Sequence, residues 1–276
     1  MIRTALLLLA LAAAVPAGAD ESARDLVVGR EFTLDSAVYG GPRRICVRLP
    51  LGYDEDDRTF PVLYVVDGGF AQDFPPLAGM ASLAGLTGQF RRFILVGVQT
   101  DNRYHELTVR STVKEDLELN PACGGAADFR RFLRDEVIPW TRERFRTSGE
   151  SGLIGESLAG LFIVETFLRE PDLCTHYLAV SPSLWWRDMA LSREASGLLQ
   201  APGFPADRSL YMTLASEGGT MKEGVERVVA ALEAHAPAGL RRWYDPMPDE
   251  DHHTIYNPAA LRALRWVFAP PTDADH

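Results

Sequence analysis

The sequence predicts an α/β chain built on a mostly parallel central sheet, with an N-terminal antiparallel hairpin and helices on both faces. Three observations carry the prediction. PVLYVV (61–66) and FILVGV (93–98) are short, nearly continuous apolar runs, as expected of strands buried on both faces of a parallel sheet. Between Ala126 and Phe145 the apolar period lengthens, with Phe129, Phe132, Leu133 and Val137 on one helical face. Strand-like and helix-like stretches then alternate toward the C-terminus, the order of a doubly wound sheet.

Each element has its own signal. Glu31–Val38 and Arg43–Leu49 are strand-like and flank Gly40-Gly41-Pro42, a turn, so they read as a hairpin. Pro139 should bend or split the helix of 126–145 near Ile138, because it lacks an N–H and crowds the preceding turn. Leu153-Ile154 reads as a strand and Leu161–Arg169 as a helix stopped by Pro171. Tyr177–Val180, Leu210–Leu214 and Arg241–Pro246 read as strands, and Met221–His235 as a helix. Asn257 is expected to cap a last helix whose first position is Pro258, ending before Pro270-Pro271. Repeats and low-complexity linkers are absent from the sequence.

Residues 1–19 read as an address. Arg3, the apolar run Ala5–Val15 and the small residues Ala17-Gly18-Ala19 form a secretory signal pattern with cleavage after Ala19. The expectation is a periplasmic or secreted protein in which residues 20–276 form a single catalytic domain. A formal net charge of −10 disfavours nucleic acid and anionic lipid as partners. Cys46, Cys123 and Cys174 permit one disulfide with one thiol over; alternatively Cys46, in a strand-like run, and Cys174, at an apolar helix end, are simply buried. Zinc-type Cys-x-x-Cys spacing, a dinucleotide loop and a Walker loop are missing, and the residues suggest no metal or cofactor.

The chemistry concentrates at GESLAG (155–160), between a strand and a helix. Gly-x-Ser-x-Gly marks the strand-to-helix elbow that exposes a nucleophilic serine in α/β-hydrolases; here Ala159 holds the fifth place and glycine follows at Gly160. The flanks must be small because the backbone turns so tightly. Ser157 is therefore the candidate nucleophile, with helix N-cap as its bland alternative. A serine hydroxyl needs a base, which comes last in the chain order of such enzymes, and His252 and His253 lie in the late PDEDHHT loop. The acid that orients the imidazole should fall between them. Glu217, directly after the strand LYMTLAS, is the first candidate, with Asp249, Glu250 and Asp251 as substitutes. The N–H of Leu158 and the loop Asp67-Gly68-Gly69 are candidates for stabilising the oxyanion.

With these residues in view, the chain resembles the esterase D-like and enterochelin (siderophore) esterase-like α/β-hydrolases. The matching stretches run in order: LPLGYD, PVLYVVDGG, the ELT of RYHELT, GGAADFRRFLRDEVIPW, LIGESLAGLF, EPDLCTHYLAVSPSLWW, LYMTLASEGG and PDEDHHT. The resemblance implies the α/β-hydrolase fold, Ser157 as nucleophile, His252 as base and oxyanion donors at Gly69 and Leu158. His253 stands where the family often has glycine, so an exchange of roles between the two histidines stays open. Members of the family hydrolyse catecholate siderophore trilactones, small thioesters, or feruloyl and acetyl esters on polysaccharides, and related mycolyltransferases pass the acyl group to sugar. SPSLWW and PDEDH lean toward a siderophore trilactone as the small-molecule ester. Trp185 and Trp186 would then face catechol rings and Arg103 an anionic ligand; core packing and a surface ion pair are the competing roles. Acyl transfer, polysaccharide esters and ligand binding without turnover stand as the alternatives.

Overall fold

A computed structural model describes residues 25–270. The signal pattern of residues 1–19 lies outside the described residues. One eight-stranded sheet organises the described chain, in the order β1-β2-β4-β3-β5-β6-β7-β8. The strands are β1 (Arg30–Ser36), β2 (Gly41–Arg48), β3 (Phe60–Val66), β4 (Ile94–Val98), β5 (Thr147–Glu156), β6 (His176–Val180), β7 (Ser209–Leu214) and β8 (Arg241–Pro246). β1 pairs antiparallel with β2, and β2 antiparallel with β4; every later pairing is parallel. The parallel runs fall where the patterns put them, and the hairpin forms with its turn at residues 37–40, so that Gly41 and Pro42 open β2 instead of turning the chain. Every residue of β3, β4, β6 and β7 is buried, the reason those segments read as continuous rather than alternating apolar runs.

Nine helices join these strands among the described residues: α1 (Phe74–Thr87), α2 (Arg103–Glu106), α3 (Lys114–Leu119), α4 (Ala126–Phe132), α5 (Ile138–Arg144), α6 (Leu158–Arg169), α7 (Trp186–Leu199), α8 (Gly219–His235) and α9 (Tyr256–Val267). Two apolar clusters fill the two sides of the sheet. Phe129, Phe162 and Val225 lie in one; Leu77, Ala260 and Phe268 lie in the other.

Pro139 splits its helix where expected, by a wide turn and not a break. Residues Leu133–Val137 form one π turn, in which the Ile138 N–H donates to the Leu133 carbonyl, and α5 resumes with Pro139 in its first turn. One expectation needs correction. Asn257 lies inside α9, which starts at Tyr256, and Ile255 flanks it without a side-chain cap. Of the two readings of the cysteines the buried one holds, since Cys46, Cys123 and Cys174 are all buried free thiols. Burial alone pushes the Cys174 thiol up to about 12, which makes it inert.

Candidate active site

The elbow is built by the end of β5 and the start of α6. Ser157 sits between them with φ 61° and ψ −115°, a conformation that L-residues rarely adopt. The strain is held by backbone bonds on both sides: the Ser157 N–H donates to the Val180 carbonyl at 3.0 Å, and its own carbonyl accepts from Ser183 N–H at 3.0 Å. Glycine is required at both flanks for steric reasons. A Cβ on Gly155 would fall 2.5 Å from the Ala159 Cβ, and one on Gly160 would fall 2.9 Å from the Val180 carbonyl oxygen. Ala159 itself is fully buried in α6, so the fifth place accepts a methyl group because the first place is glycine.

Two further loops complete a line of side chains that ends on that hydroxyl. His252 Nε2 lies 3.0 Å from Ser157 Oγ, and His252 Nδ1 lies 2.6 Å from Glu217 Oε1. Glu217 follows β7 and His252 follows β8, adjacent strands at their C-terminal ends. The loops are themselves joined, since the Ser216 N–H donates to the Glu250 carbonyl at 2.9 Å and the Met247 N–H to the Leu214 carbonyl at 2.8 Å. Glu217 Oε1 also accepts from the Ser181 hydroxyl at 2.8 Å, while its Oε2 is buried without a partner. His253 is exposed, and its backbone N–H is held by Asp251 Oδ1. Asp249 and Asp251 are exposed too, and Asp251 serves the turn that carries the histidines.

The candidate oxyanion loop follows β3. Asp67 has φ 58°, and the Gly68 N–H closes onto the Val98 carbonyl of β4 at 2.8 Å. Leu158 opens α6, so its N–H belongs to the first-turn donors that have no partner within the helix. The Gly69 N–H, by contrast, donates to Gln72 Oε1 at 2.9 Å. That orientation of the carboxamide is fixed at its other end, where Gln72 Nε2 donates to the Thr100 carbonyl at 3.0 Å. Gln72 carries no recognisable motif in the sequence.

Arg103 places its guanidinium on Asp67 Oδ2, at 2.9 Å from Nη2 and 3.0 Å from Nε, and Asp67 also accepts from the Thr100 hydroxyl. Two further carboxyls crowd the same region. Burial, then Asp67, push Asp73 up to about 7 against the pull of Arg103; burial, then Asp73, push Glu156 up to about 7. Glu156 Oε1 is buried without a hydrogen-bond partner, which fits a carboxyl that resists ionisation. The tryptophan pair divides. Trp186 is 2% exposed and spends its indole N–H on the Val109 carbonyl, so it is a core side chain and not a binding surface; Trp185 remains half-buried against it. Among the described residues no group of three or more His, Cys, Asp or Glu side chains converges as a metal site, and no helix is long and apolar enough to cross a membrane.

Residues 36–234 match the family described as "Putative esterase". The chain is 25% identical over 243 residues to Uncharacterized protein YbbA of Bacillus subtilis, covering 83% of this chain and 93% of that one. It is 27% identical over 184 residues to the siderophore triacetylfusarinine C esterase of Aspergillus fumigatus, which covers 62% of this chain and 61% of the relative. A solved IroE-like serine hydrolase from Shewanella oneidensis superposes with a TM-score of 0.79 at 24% identity, over 87% of this chain and 80% of that chain. The siderophore hydrolase EstB from Aspergillus nidulans superposes with a TM-score of 0.74 at 21% identity, over 91% of this chain and 98% of that chain. The likenesses establish the α/β-hydrolase fold, and with the family match covering most of its length the chain belongs to this esterase family.

Proposed function

We propose that the protein is an exported serine esterase that hydrolyses a carboxylic ester of the siderophore type through an acyl-enzyme. The observation that carries this reading is the continuous line Ser157 Oγ, His252 Nε2, His252 Nδ1, Glu217 Oε1, with links of 3.0 and 2.6 Å at the strained elbow. The Glu217 carboxylate accepts a hydrogen bond from His252 Nδ1–H, which leaves Nε2 free to take the proton of Ser157. The serine oxygen then attacks the ester carbonyl carbon. The N–H groups of Leu158 and Gly69 receive the oxyanion, the latter exchanging Gln72 Oε1 for it. Collapse breaks the ester C–O bond, and the alcohol leaves with the proton from His252. Water repeats the cycle, releasing the acid and restoring the Ser157 hydroxyl.

The siderophore assignment draws on two relatives, the triacetylfusarinine C esterase and the Bacillus subtilis ferri-bacillibactin esterase BesA, the latter 24% identical over 156 residues and 54% of each chain. Aromatic surface for an aryl ester is supplied by half-buried Trp185 and by Phe70, 61% exposed beside Gly69. Arg103 offers an anionic group only the part of its guanidinium that Asp67 leaves open.

The test is labelling with a fluorophosphonate and turnover of an ester panel that includes iron-free and iron-loaded trilactones, p-nitrophenyl esters and a feruloyl sugar. Labelling should map to Ser157, with turnover falling about 10⁴-fold or more in Ser157→Ala and His252→Ala. A well-folded protein that neither labels nor hydrolyses any ester would overturn the reading in favour of ligand binding. Appearance of acylated sugar when a sugar acceptor is added would assign transfer instead. N-terminal sequencing of the exported protein, expected to begin at Asp20, tests the leader.

A further inference from the structure

The turn Ser181-Pro182-Ser183 touches both ends of the proposed relay. Ser181 donates to the acid, and Pro182 packs where a Cβ on Gly160 would fall 3.0 Å from its Cα. Ser183 reaches the nucleophile itself: its Oγ lies 3.2 Å from Ser157 Oγ. The spacing is built in. Ser183 is 2% exposed, and its backbone N–H is clasped by the Ser157 carbonyl at 3.0 Å.

The direction of the Ser183 bond follows from its neighbours. Glu217 is an acceptor, so the His252 proton sits on Nδ1 and Nε2 must accept from Ser157. The Ser157 proton is thereby committed, and Ser183 is left as the donor to Ser157 Oγ. Such a bond strengthens with the charge on its acceptor. While Ser157 is esterified its oxygen is a poor acceptor. In the last step of the cycle the C–Oγ bond breaks, and that oxygen becomes an incipient alkoxide until His252 returns the proton.

We propose that Ser183 is a catalytic residue of deacylation, donating a hydrogen bond to Ser157 Oγ as it departs from the acyl carbon. The proposal rests on the acyl-enzyme reading above. Its predicted signature is one-sided. In acylation the same bond draws electron density from the attacking oxygen, so removing it costs little there. In deacylation it assists the leaving group, so removing it slows the release of the acid.

The experiment is rapid mixing of wild type and Ser183→Ala with p-nitrophenyl butyrate, beside the rate of fluorophosphonate labelling at Ser157. The variant should release about one equivalent of p-nitrophenolate in a burst, then turn over roughly tenfold more slowly than wild type. Its labelling rate should stay within about threefold of wild type. Should Ser183→Ala lose its melting transition, Ser183→Cys, with similar shape and only a weak donor, carries the same comparison. Labelling and turnover that fall together without a burst, or turnover that does not change, would overturn the role of Ser183 alone. Wild type that fails to label at Ser157 overturns the acyl-enzyme reading and this proposal with it.

Discussion

Gly155 and Ala159 share one small volume at the elbow: a methyl group on the first would lie 2.5 Å from the methyl group of the second. Only one of the two positions can carry a side chain. Gly155→Ala should therefore destabilise the fold by about 1–3 kcal/mol and misplace Ser157, while Ala159→Gly alone should be mild. The double variant should recover part of the loss, although Ile163 and Val66 also lie 3.4 Å from the added Cβ. Thermal melts of the four proteins check the coupling; independent effects would refute it.

The acid is tested by charge removal at fixed shape. Glu217→Gln should lower kcat about 10²–10⁴-fold, since the imidazolium loses its stabiliser and the Nδ1 tautomer is no longer enforced. Asp249→Ala, at an exposed residue, should leave kcat within about twofold. Steady-state kinetics on one p-nitrophenyl ester distinguishes the two sites.

Gln72 holds the Gly69 N–H that the oxyanion would need. Gln72→Glu puts a carboxylate in its place, which grips that N–H harder and repels a developing negative charge. The expected outcome is a fall in kcat/KM of about 10²-fold or more, with labelling by a fluorophosphonate slowed in parallel. Unchanged kinetics would remove Gly69 from the oxyanion hole.

Asp73 and Glu156 give the protein an unusual dependence on pH. Their folded values of about 7 lie above the ordinary 3.8 and 4.5, so the folded state binds more protons between roughly pH 4 and 7. Their contribution is fully present below pH 4 and lost as pH rises through 7. Glu156→Gln should remove part of that decline and raise the melting temperature at pH 8 by roughly 2–5 °C, with little change at pH 5. Melts across pH 4–9 provide the check.

Arg43 anchors the segment that leads to Arg103. It is 5% exposed, forks onto both oxygens of buried Glu106 at 2.8 Å and stacks on Tyr39 at 4.2 Å. Arg43→Ala leaves that carboxylate buried and unpaired, at a cost of about 3–5 kcal/mol. Urea unfolding of the variant, compared with Arg43→Ala/Glu106→Ala, should show the second change restoring stability.

Much of this was legible in residue order because parallel strands buried on both faces advertise themselves as apolar runs, and because an elbow demands small flanks. The GESLAG elbow nominates Ser157, chain order narrows the base to His252 or His253 and puts Glu217 first among the acids, and Ser157, His252 and Glu217 do meet. What escaped has physical causes. The helix Phe74–Thr87 opens on Pro75-Pro76 and mixes alanine, glycine and leucine around its circumference, so it shows little amphipathic stripe. The helix Trp186–Leu199 begins with Arg187, Asp188 and Met189 at positive φ, a left-handed turn no local propensity announces. Trp185 and Trp186 look equivalent in sequence, yet only Trp186 enters the core. Gln72 carries no motif of its own, and SPSLWW, which holds Ser181 and Ser183, gives no role to either serine; their roles arise from loops brought together by the sheet.

The backbone bond from Ser216 to Glu250 extends the pairing of the last two strands into the loops that bear Glu217 and His252. A zipper of peptide groups therefore helps to space carboxylate and imidazole. Thermal fraying of that zipper from its open end would disconnect the pair while the remaining strands stay annealed, so loss of turnover should precede loss of circular dichroism on heating.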